Sequence, residues 1–240
     1  MTQKVLAKLM SFAGCDKLGL FTIAIASSCL MIVPQGQVRA ASVFIDNHSF
    51  EDPVAPQQGA TGFYSINSID KWSLVSTGGL QGVFDPTATA TLTGGGPFFD
   101  QPVPDGVQVA YSNGGTISQT LTGTTLQAKT QYTLGVYVGR RNDQPFPGYN
   151  IELLAGSTVL ASNSIITPAA GTFAPVTVSY SSGSSSPLFG QALTIRLTSN
   201  GTQTNFDNVT LDASPIPEPS AILGLLGFGL LGIASKLRQK

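Results

Sequence analysis

The sequence predicts an all-β protein, an antiparallel β-sandwich or jelly roll, from two observations. Residues 131–138 (QYTLGVYV) alternate large apolar side chains with small or polar ones, which is the period of a strand with one buried face. Similar segments recur along the chain, separated by turn formers such as Asn-Gly-Gly at 113–115 and Pro-Phe-Pro-Gly at 145–148, with no helical period between them. Many short strands joined by such turns are typical of a sandwich.

The first 40 residues have the order of a secretory signal peptide. Lys4, Lys8 and Lys17 precede an apolar run at 18–33, and the segment 38–40 (Val-Arg-Ala) supplies small or apolar residues at the positions that a signal peptidase reads. We therefore predict a signal helix, a signal peptidase as partner, and cleavage after residue 40.

Both cysteines of the chain, Cys15 and Cys29, lie within this predicted signal peptide. Cys29 follows Ala-Ser-Ser, which faintly suggests a lipoprotein signal, but apolar residues 30–33 continue beyond it. A chain cut after residue 40 contains no cysteine, which excludes a disulfide scaffold and thiol chemistry.

The remaining segment, residues 41–214, is long enough for one domain with a complete core. Its predicted strands are residues 42–45, 116–121, 131–138, 149–154, 176–180, 193–197 and 206–211, with a further strand beginning at Trp72. Residues 55–62 and 93–104 show neither the strand period nor the helix period, so we expect long loops there. Such loops on a rigid scaffold usually carry the ligand-binding residues. Eleven acidic residues against five basic ones in 41–214 argue against nucleic acid as a partner.

The last 26 residues have three parts, which are the motif Pro217-Glu218-Pro219-Ser220, an apolar run at 221–234 and a basic end. This tail resembles the PEP-CTERM sorting signal of Gram-negative bacteria, which implies an exosortase-type membrane protease as partner. A helix over 221–234 is about 21 Å long, shorter than the roughly 30 Å hydrocarbon core, so it predicts a marginal transmembrane helix and transient residence in the inner membrane. The basic end stays in the cytoplasm, so the domain lies outside. An ordinary tail anchor is the alternative.

A second resemblance covers the domain. Asn-His-Ser-Phe-Glu at 47–51, Trp72, and Asn-Phe-Asp-Asn-Val at 205–209 resemble the galactose-binding-like jelly rolls of many carbohydrate-binding modules. The resemblance implies a structural calcium ion at Glu51 and Asp207. Asp46 and Asn47 are further oxygen donors if the terminal strands pair, since calcium takes several hard oxygen ligands. The alternative for Asp207 is a side chain that caps loop amides.

Sugar binding by such modules uses aromatic platforms with polar groups at the edge. Phe98, Phe99 and Phe146 lie in predicted loops and are expected to be exposed, whereas a lone Trp72 is expected in the core. Further candidate ligand residues are Tyr149, Arg140 and Arg141. Either arginine can bind hydroxyl or carboxylate groups, and the alternative is a solvated loop with a local Arg–Asp pair.

Little in the sequence indicates catalysis. His48 is the only histidine and is expected to be half-exposed, there is no Gly-x-Ser-x-Gly elbow, and Glu152 is expected on the solvent side of a strand. We therefore predict a noncatalytic protein, anchored first in the membrane and then at the cell surface or in the extracellular matrix, that associates with extracellular polysaccharide. The alternatives are a structural or adhesive envelope protein without sugar specificity and a secreted glycan-active enzyme.

Overall fold

The structure is a computed structural model that describes residues 40–217. Residues 1–39 of the predicted signal peptide and the predicted transmembrane helix at 221–234 lie outside these residues. Along the described part, no helix is long and apolar enough to cross a bilayer.

Strands dominate the described segment, with one short helix. In chain order the elements are β1 (Ala41–Ser42), β2 (Phe63–Tyr64), β3 (Ser73–Ser76), β4 (Gln81–Asp85), α1 (Pro86–Thr93), β5 (Val109–Ser112), β6 (Gly115–Thr125), β7 (Thr130–Arg140), β8 (Tyr149–Ala155), β9 (Thr158–Asn163), β10 (Thr172–Ser181), β11 (Ala192–Ser199) and β12 (Thr204–Pro215).

Two antiparallel sheets form a sandwich, so the predicted fold class is confirmed. The larger sheet runs in the order β10-β7-β12-β5-β4-β2, with β1 also paired to β12, and the smaller one in the order β3-β6-β11-β8-β9. The first strand is shorter than the predicted 42–45: Ala41 pairs with Ala213 and Ser42 with Asp212, Val43 N still donates to Leu211 O, and the chain then leaves the sheet before the turn at 46–49. Residues 94–108 contain no helix or strand, in agreement with the loop predicted at 93–104.

The core between the sheets is built from the alternation seen in the sequence. The four large apolar residues of β7, from Tyr132 to Val138, are each at most 2% exposed. Trp72 is also in this core, as predicted; its ring centroid lies 5.1 Å from that of Phe50, and its Nε1 donates to the carbonyl of Asn47.

Glu152 is a correction to the sequence-based expectation. Its neighbours Ile151 and Leu153 are in the core, so it does face outward, but the residue is only 8% exposed. Arg196, its cross-strand partner on β11, donates from Nε to Glu152 Oε2 at 2.6 Å. An ion pair on the outer face, and not bulk solvent, therefore satisfies this carboxylate.

Candidate functional site

The register of the larger sheet determines which side chains face outward. Phe206 of β12 lies in the core between the sheets, so Asn205 and Asp207 on either side of it point to the outer face. Strand pairing places Tyr111 of β5 beside Asn205 and Tyr137 of β7 beside Asp207. The outer face of the larger sheet therefore combines aromatic rings with two buried polar side chains.

A second apolar cluster, separate from the core, covers this outer face. Its buried members are Phe84, Phe99, Val109, Tyr111 and Phe173, with Tyr64, Phe98, Val103 and Tyr137 packed against them. The rings of Phe99 and Phe173 are 4.4 Å apart, and those of Phe84 and Phe98 meet edge to face at 5.3 Å. Such edge-to-face and tilted pairs add stability beyond that of the apolar area they bury. We call the aromatic rings of this cluster the aromatic wall.

Glycine makes this close packing of rings possible. Gly139 lies on β7 beside Asn205, and a Cβ there would lie 2.4 Å from the ring of Phe173. A larger residue at 139 would push Phe173 off the sheet.

At one end of this face is a cleft of about 250 Å³. Its lining residues are Thr61, Tyr64, Leu80, Phe84, Thr89, Phe98, Tyr111, Asn113, Arg141 and Gln203. The polar residues Asn113, Gln203 and Arg141 belong to three neighbouring chain segments, since each lies just beyond the paired ends of β5, β12 and β7. We call Asn113, Gln203 and Arg141 the polar row; it borders the aromatic wall at the end of the sheet.

Arg141 is held in place by charge, hydrogen bonds and aromatic contacts. Its guanidinium carbon lies 4.4 Å from the ring centroid of Phe98 and 5.4 Å from that of Phe84. Its Nε and Nη2 donate to Asp143 at 2.8 and 2.5 Å, and Nη1 donates to Gln203 Oε1. The hydrogen bond from Arg141 lowers the pKa of Asp143. The local Arg–Asp pair predicted as the alternative for this loop is present, and it fixes one wall of the cleft.

Tyr111 forms part of the cleft as a neutral phenol. Burial, with a smaller effect of Tyr64, raises the pKa of Tyr111 to about 12, and its hydroxyl donates to the carbonyl of Ser65 at 2.8 Å. The ring therefore offers the cleft an apolar face and no charge.

The predicted sugar-binding residues do not form one surface. Phe98, half-buried, and Arg141 line the cleft together. The predicted exposure of Phe99 is wrong, since it is 6% exposed beneath the loop, against Phe173. Phe146 is half-buried and packs against the core.

Tyr149 and Arg140 are also placed differently from the prediction. Tyr149 is 1% exposed within the core, where burial raises the pKa of its hydroxyl and Ile166 N donates to it. It therefore offers no surface to a sugar. Arg140 donates from Nη1 to Pro168 O at 3.5 Å, and its buried Nε has no partner among residues 40–217.

Two of the four predicted calcium ligands come together. Glu51 Oε1 accepts from Val107 N and Gln108 N, both at 2.9 Å, and Asp207 Oδ2 accepts from Asp105 N at 2.9 Å. Asp207 is fully buried; burial, followed by the nearby charges of Asp105 and Glu51, raises its pKa to about 8 against the two backbone hydrogen bonds. Its second oxygen accepts from Asn208 N at 2.7 Å. Asp207 thus caps loop amides, the role given above as the alternative.

The other two predicted ligands serve the first loop. Asn47 accepts from Asp52 N and donates to the carbonyls of Asp52 and Asp70, so its amide braces the loop. Asp46 accepts a hydrogen bond from Gln119 through its backbone carbonyl. Within residues 40–217, no group of three or more His, Cys, Asp or Glu side chains is arranged to hold a metal ion. Calcium binding at Glu51 and Asp207 stays a prediction.

His48 has the half-exposed position expected for it. Its side chain is 50% exposed, and Nε2 lies 3.4 Å from Asp105 Oδ2.

Comparison with known proteins identifies the family. Residues 41–212 match the model of the HpiC1-like family, described as HpiC1 cyclase. The chain belongs to the HpiC1-like family. Residues 215–239 match the PEP-CTERM protein-sorting motif, so the sorting prediction is confirmed and the chain is an exported protein processed by an exosortase. Of the four motif residues, Glu218, Pro219 and Ser220 lie outside the described residues and Pro217 lies within them.

Solved structures similar to this HpiC1-like chain include cyclases. A Stig cyclase, Fisc from Fischerella sp. TAU, in complex with (3Z)-3-(1-methyl-2-pyrrolidinylidene)-3H-indole has a TM-score of 0.63 and 29% identity, over 75% of this chain and 100% of that one. A cyclase from Fischerella sp. TAU in complex with 4-(1H-indol-3-yl)butan-2-one has a TM-score of 0.62 and 29% identity, with the same coverage. No match is found among curated proteins.

A carbohydrate-binding module is also similar, at a lower level. TmCBM61 in complex with β-1,4-galactotriose has a TM-score of 0.43 and 12% identity, over 71% of this chain and 98% of that one. A likeness at this level carries no argument about the ligand. The family match bears against the prediction that the HpiC1-like domain is noncatalytic.

Several cleft residues were not predicted from the sequence. Phe84, Asn113 and Gln203 come from strands or turns without a clear period, and only the strand pairing reveals that they are neighbours. Tyr64 and Tyr111 are visible in the sequence as aromatic residues, but their common position depends on the pairing of β2, β4 and β5.

Proposed function

We propose that the exported domain is an enzyme of the cyclase type that binds a flat aromatic substrate of the indole class in the cleft on the outer face of the larger sheet. The observation that carries the proposal is the aromatic wall of that cleft, in a chain that belongs to the HpiC1-like family and is similar to cyclases crystallised with indole compounds.

The shape and chemistry of the cleft suit a small aromatic ring system. About 250 Å³ lies below the roughly 300–1,000 Å³ range of pockets for drug-sized ligands, so a ligand of one or two rings fits better than a larger one. Tyr64, Phe84, Phe98 and Tyr111 offer ring faces and edges for tilted or edge-to-face packing with a planar ligand.

The residues of the cleft can favour ring closure by position and by electrostatics. Walls fixed by aromatic packing hold a flexible substrate in a folded shape, which raises the effective concentration of its reacting ends. Ring faces stabilise positive charge that develops on a substrate through cation–π attraction. Arg141 and Asp143 are already paired, so the nearby protein charge is close to balanced.

The proposal is tested by measuring binding of 4-(1H-indol-3-yl)butan-2-one to the purified full-length chain by calorimetry. We expect saturable binding, and the Phe98→Ala variant should weaken it by about tenfold, because it removes an aromatic contact and apolar area together. Phe146→Ala is the matched control, since Phe146 is another half-buried loop phenylalanine outside the cleft. Absence of binding, or equal effects of the two variants, would refute the proposal.

Association with extracellular polysaccharide is the second candidate function. The half-buried ring of Phe98 beside the Arg141 guanidinium has the aromatic face and polar edge that a sugar platform uses. A pull-down of the full-length chain with the host exopolysaccharide tests it. Retention that Phe98→Ala abolishes, combined with no binding of indole compounds, would favour this candidate over the cyclase proposal.

We also propose that Glu51 and Asp207 share a structural calcium ion. The support is a buried carboxylate next to Glu51 and Asp105, since gathered negative charge favours either a proton or a cation. Two carboxylates supply fewer oxygens than the six to eight that calcium takes, so backbone carbonyls and water complete the shell.

A further inference from the structure

The polar groups that line the cleft differ in whether they are already satisfied. Seven of the lining residues carry a polar group on the side chain: Thr61, Tyr64, Thr89, Tyr111, Asn113, Arg141 and Gln203. Six of them have hydrogen bonds within the protein: Tyr111 with Ser65, Tyr64 with Thr61, Thr61 with Gln58, Thr89 with Phe63, and Arg141 with both Asp143 and Gln203. These six groups fix the walls.

Asn113 is the exception. Its side-chain amide makes no hydrogen bond within residues 40–217, and its Oδ1 is buried without a partner. The backbone N–H of Asn113, in contrast, donates to Leu80 O at 2.9 Å, so the residue itself is well positioned. A buried carbonyl without a donor destabilises the empty cleft, and a donor on a ligand would remove that cost.

The backbone around Asn113 holds the residue at the cleft. A Cβ added to Gly79 would lie 2.0 Å from the carbonyl oxygen of Asn113, so the turn after β3 packs directly on it. Only the amide plane is left to turn, and the terminal torsion of an asparagine has a broad energy minimum. A rotation about this torsion can turn Oδ1 toward the cleft that Asn113 lines without moving the chain.

We propose that Asn113 is the specificity-determining residue of the cleft, and that its Oδ1 accepts the ring N–H of a 1H-indole ligand. This inference rests on the proposed function and names the polar contact that selects the substrate. The other polar lining groups each already make a hydrogen bond within the protein, whereas Asn113 Oδ1 is a buried acceptor without one, so the ring N–H of an enclosed ligand gains most by donating to Asn113.

The consequence is discrimination against a ring without the N–H. A methyl group on the ring nitrogen removes the donor and leaves the asparagine carbonyl unsatisfied. One net hydrogen bond corresponds to a change of about fivefold in the dissociation constant. The full-length chain should therefore bind 4-(1H-indol-3-yl)butan-2-one about fivefold more tightly than its N-methyl derivative.

The test combines the two ligands with two variants. Asn113→Leu replaces the amide with an apolar group of similar size and should bind both ligands equally. Asn113→Asp keeps an acceptor at the same place and should retain the preference for the N–H compound. Melting temperatures of both variants, compared with wild type, check that each is folded.

Each outcome bears on the inference. Equal binding of the two ligands by the wild-type chain overturns it while leaving the proposed function in place. A preference that persists in Asn113→Leu also overturns it, since another group would then be the acceptor. Binding of neither ligand refutes the proposed function and the inference together. If Asn113→Leu fails to fold, the wild-type comparison of the two ligands still decides.

Discussion

Asp207 carries its carboxyl group on the outer face of the larger sheet, yet none of the residue is exposed. The loop that follows α1 covers it, and Asp105 N from that loop donates to Asp207 Oδ2. Burial and the charges of Asp105 and Glu51 favour the protonated form, and His48 faces the same group of carboxylates through Asp105. The protonation state of Asp207 is therefore coupled to the position of this loop through the hydrogen bond from Asp105 N.

The first prediction concerns the pH dependence of stability in the presence of a chelator. The folded pKa of Asp207 is raised to about 8 from 3.8, so the folded state binds more protons than the unfolded state between these values. The contribution of Asp207 to the free energy of unfolding is fully present below about pH 4 and is lost as the pH rises through about 8. The free energy of unfolding, measured with urea, should therefore fall over this range more steeply in wild type than in Asp207→Asn.

Calcium provides the control for this measurement. A bound cation keeps Asp207 ionised, so excess calcium should remove the difference in pH dependence and raise the melting temperature of wild type. If the free energies of unfolding of wild type and Asp207→Asn in chelator depend on pH in parallel, the raised pKa of Asp207 is contradicted. If the melting temperature is the same with calcium and with chelator, the proposed calcium site is contradicted.

The second prediction concerns the ion pair on the outer face of the smaller sheet. Arg196→Met leaves the carboxylate of Glu152 nearly buried without its partner, with Glu152 at 8% exposure. Breaking a deeply buried pair costs about 3–5 kcal/mol, and the 35% exposure of the Arg196 side chain reduces this to about 2 kcal/mol. The melting temperature should fall by about 4–8 °C.

A double variant separates the effect of losing the ion pair from the effect of leaving the Glu152 carboxylate without a partner. Glu152→Leu combined with Arg196→Met removes both charges and should lie close to wild type in thermal unfolding. A single variant as stable as wild type would show that water, and not Arg196, satisfies Glu152.

At the level of elements, the sequence was informative where one face of a strand is buried and the other is polar. β7 and β11 alternate buried and half-buried residues along most of their length, and both were predicted to within two residues at each end. All four residues of β5 and four of the five in β4 are buried, so neither strand has an alternating pattern. The cleft uses these two strands, which explains why its residues were not predicted as a group.

The single helix of the described part was missed for a different reason. α1 reads PTATATLT, with Thr at every second position and only two buried residues, so it has no apolar stripe. Its ends do carry signals, because Asp85 is the N-cap, Pro86 begins the helix and Gly94 ends it in the left-handed conformation. These cap residues alone do not predict the helix, because the residues between them lack the apolar period of an amphipathic helix.

The third prediction tests the N-cap. Asp85 Oδ1 accepts from Ala88 N at 2.8 Å, and replacing such a cap with alanine costs about 1 kcal/mol. α1 borders the cleft through Thr89, which accepts from Phe63 N, so Asp85→Ala should also weaken binding of the indole ketone. Urea unfolding and calorimetry measure the two effects. Asp85→Ser retains a capping oxygen and should resemble wild type, and equal stability of the alanine and serine variants would argue against the cap.

For the whole molecule, β12 joins the sorting tail to the proposed ligand site. Its final residue, Pro215, pairs with Thr130 at one end of β7, while Asn205 near its start pairs with Gly139 at the other end. The 12 residues of β12 span roughly 40 Å at about 3.3 Å per residue. Ala41, just after the predicted signal peptidase site, pairs with Ala213, so residue 41 and the end of β12 are both at the end of the sandwich away from the cleft.

The fourth prediction follows from this separation. If the predicted transmembrane helix at 221–234 holds the precursor at the membrane of a host without an exosortase, the cleft should point away from the bilayer and the end of β12 should lie close to it. A bulky maleimide reagent should label Thr61→Cys, in the cleft lining, at the same rate in membranes as in detergent. Ile216→Cys, next to the hydrogen bond from Ile216 N to Lys129 O, should react several-fold more slowly in membranes.

The labelling reports on the introduced cysteine alone, because both native cysteines, Cys15 and Cys29, lie in the predicted signal peptide and are removed with it. Detergent is the matched control, since it removes the bilayer. In detergent, Thr61→Cys and Ile216→Cys should be labelled at similar rates. A cleft cysteine shielded in membranes beside a freely labelled Ile216→Cys would mean that the domain folds back onto the bilayer. A ligand would then reach the cleft from the membrane, whereas the fourth prediction has the cleft open to the aqueous side.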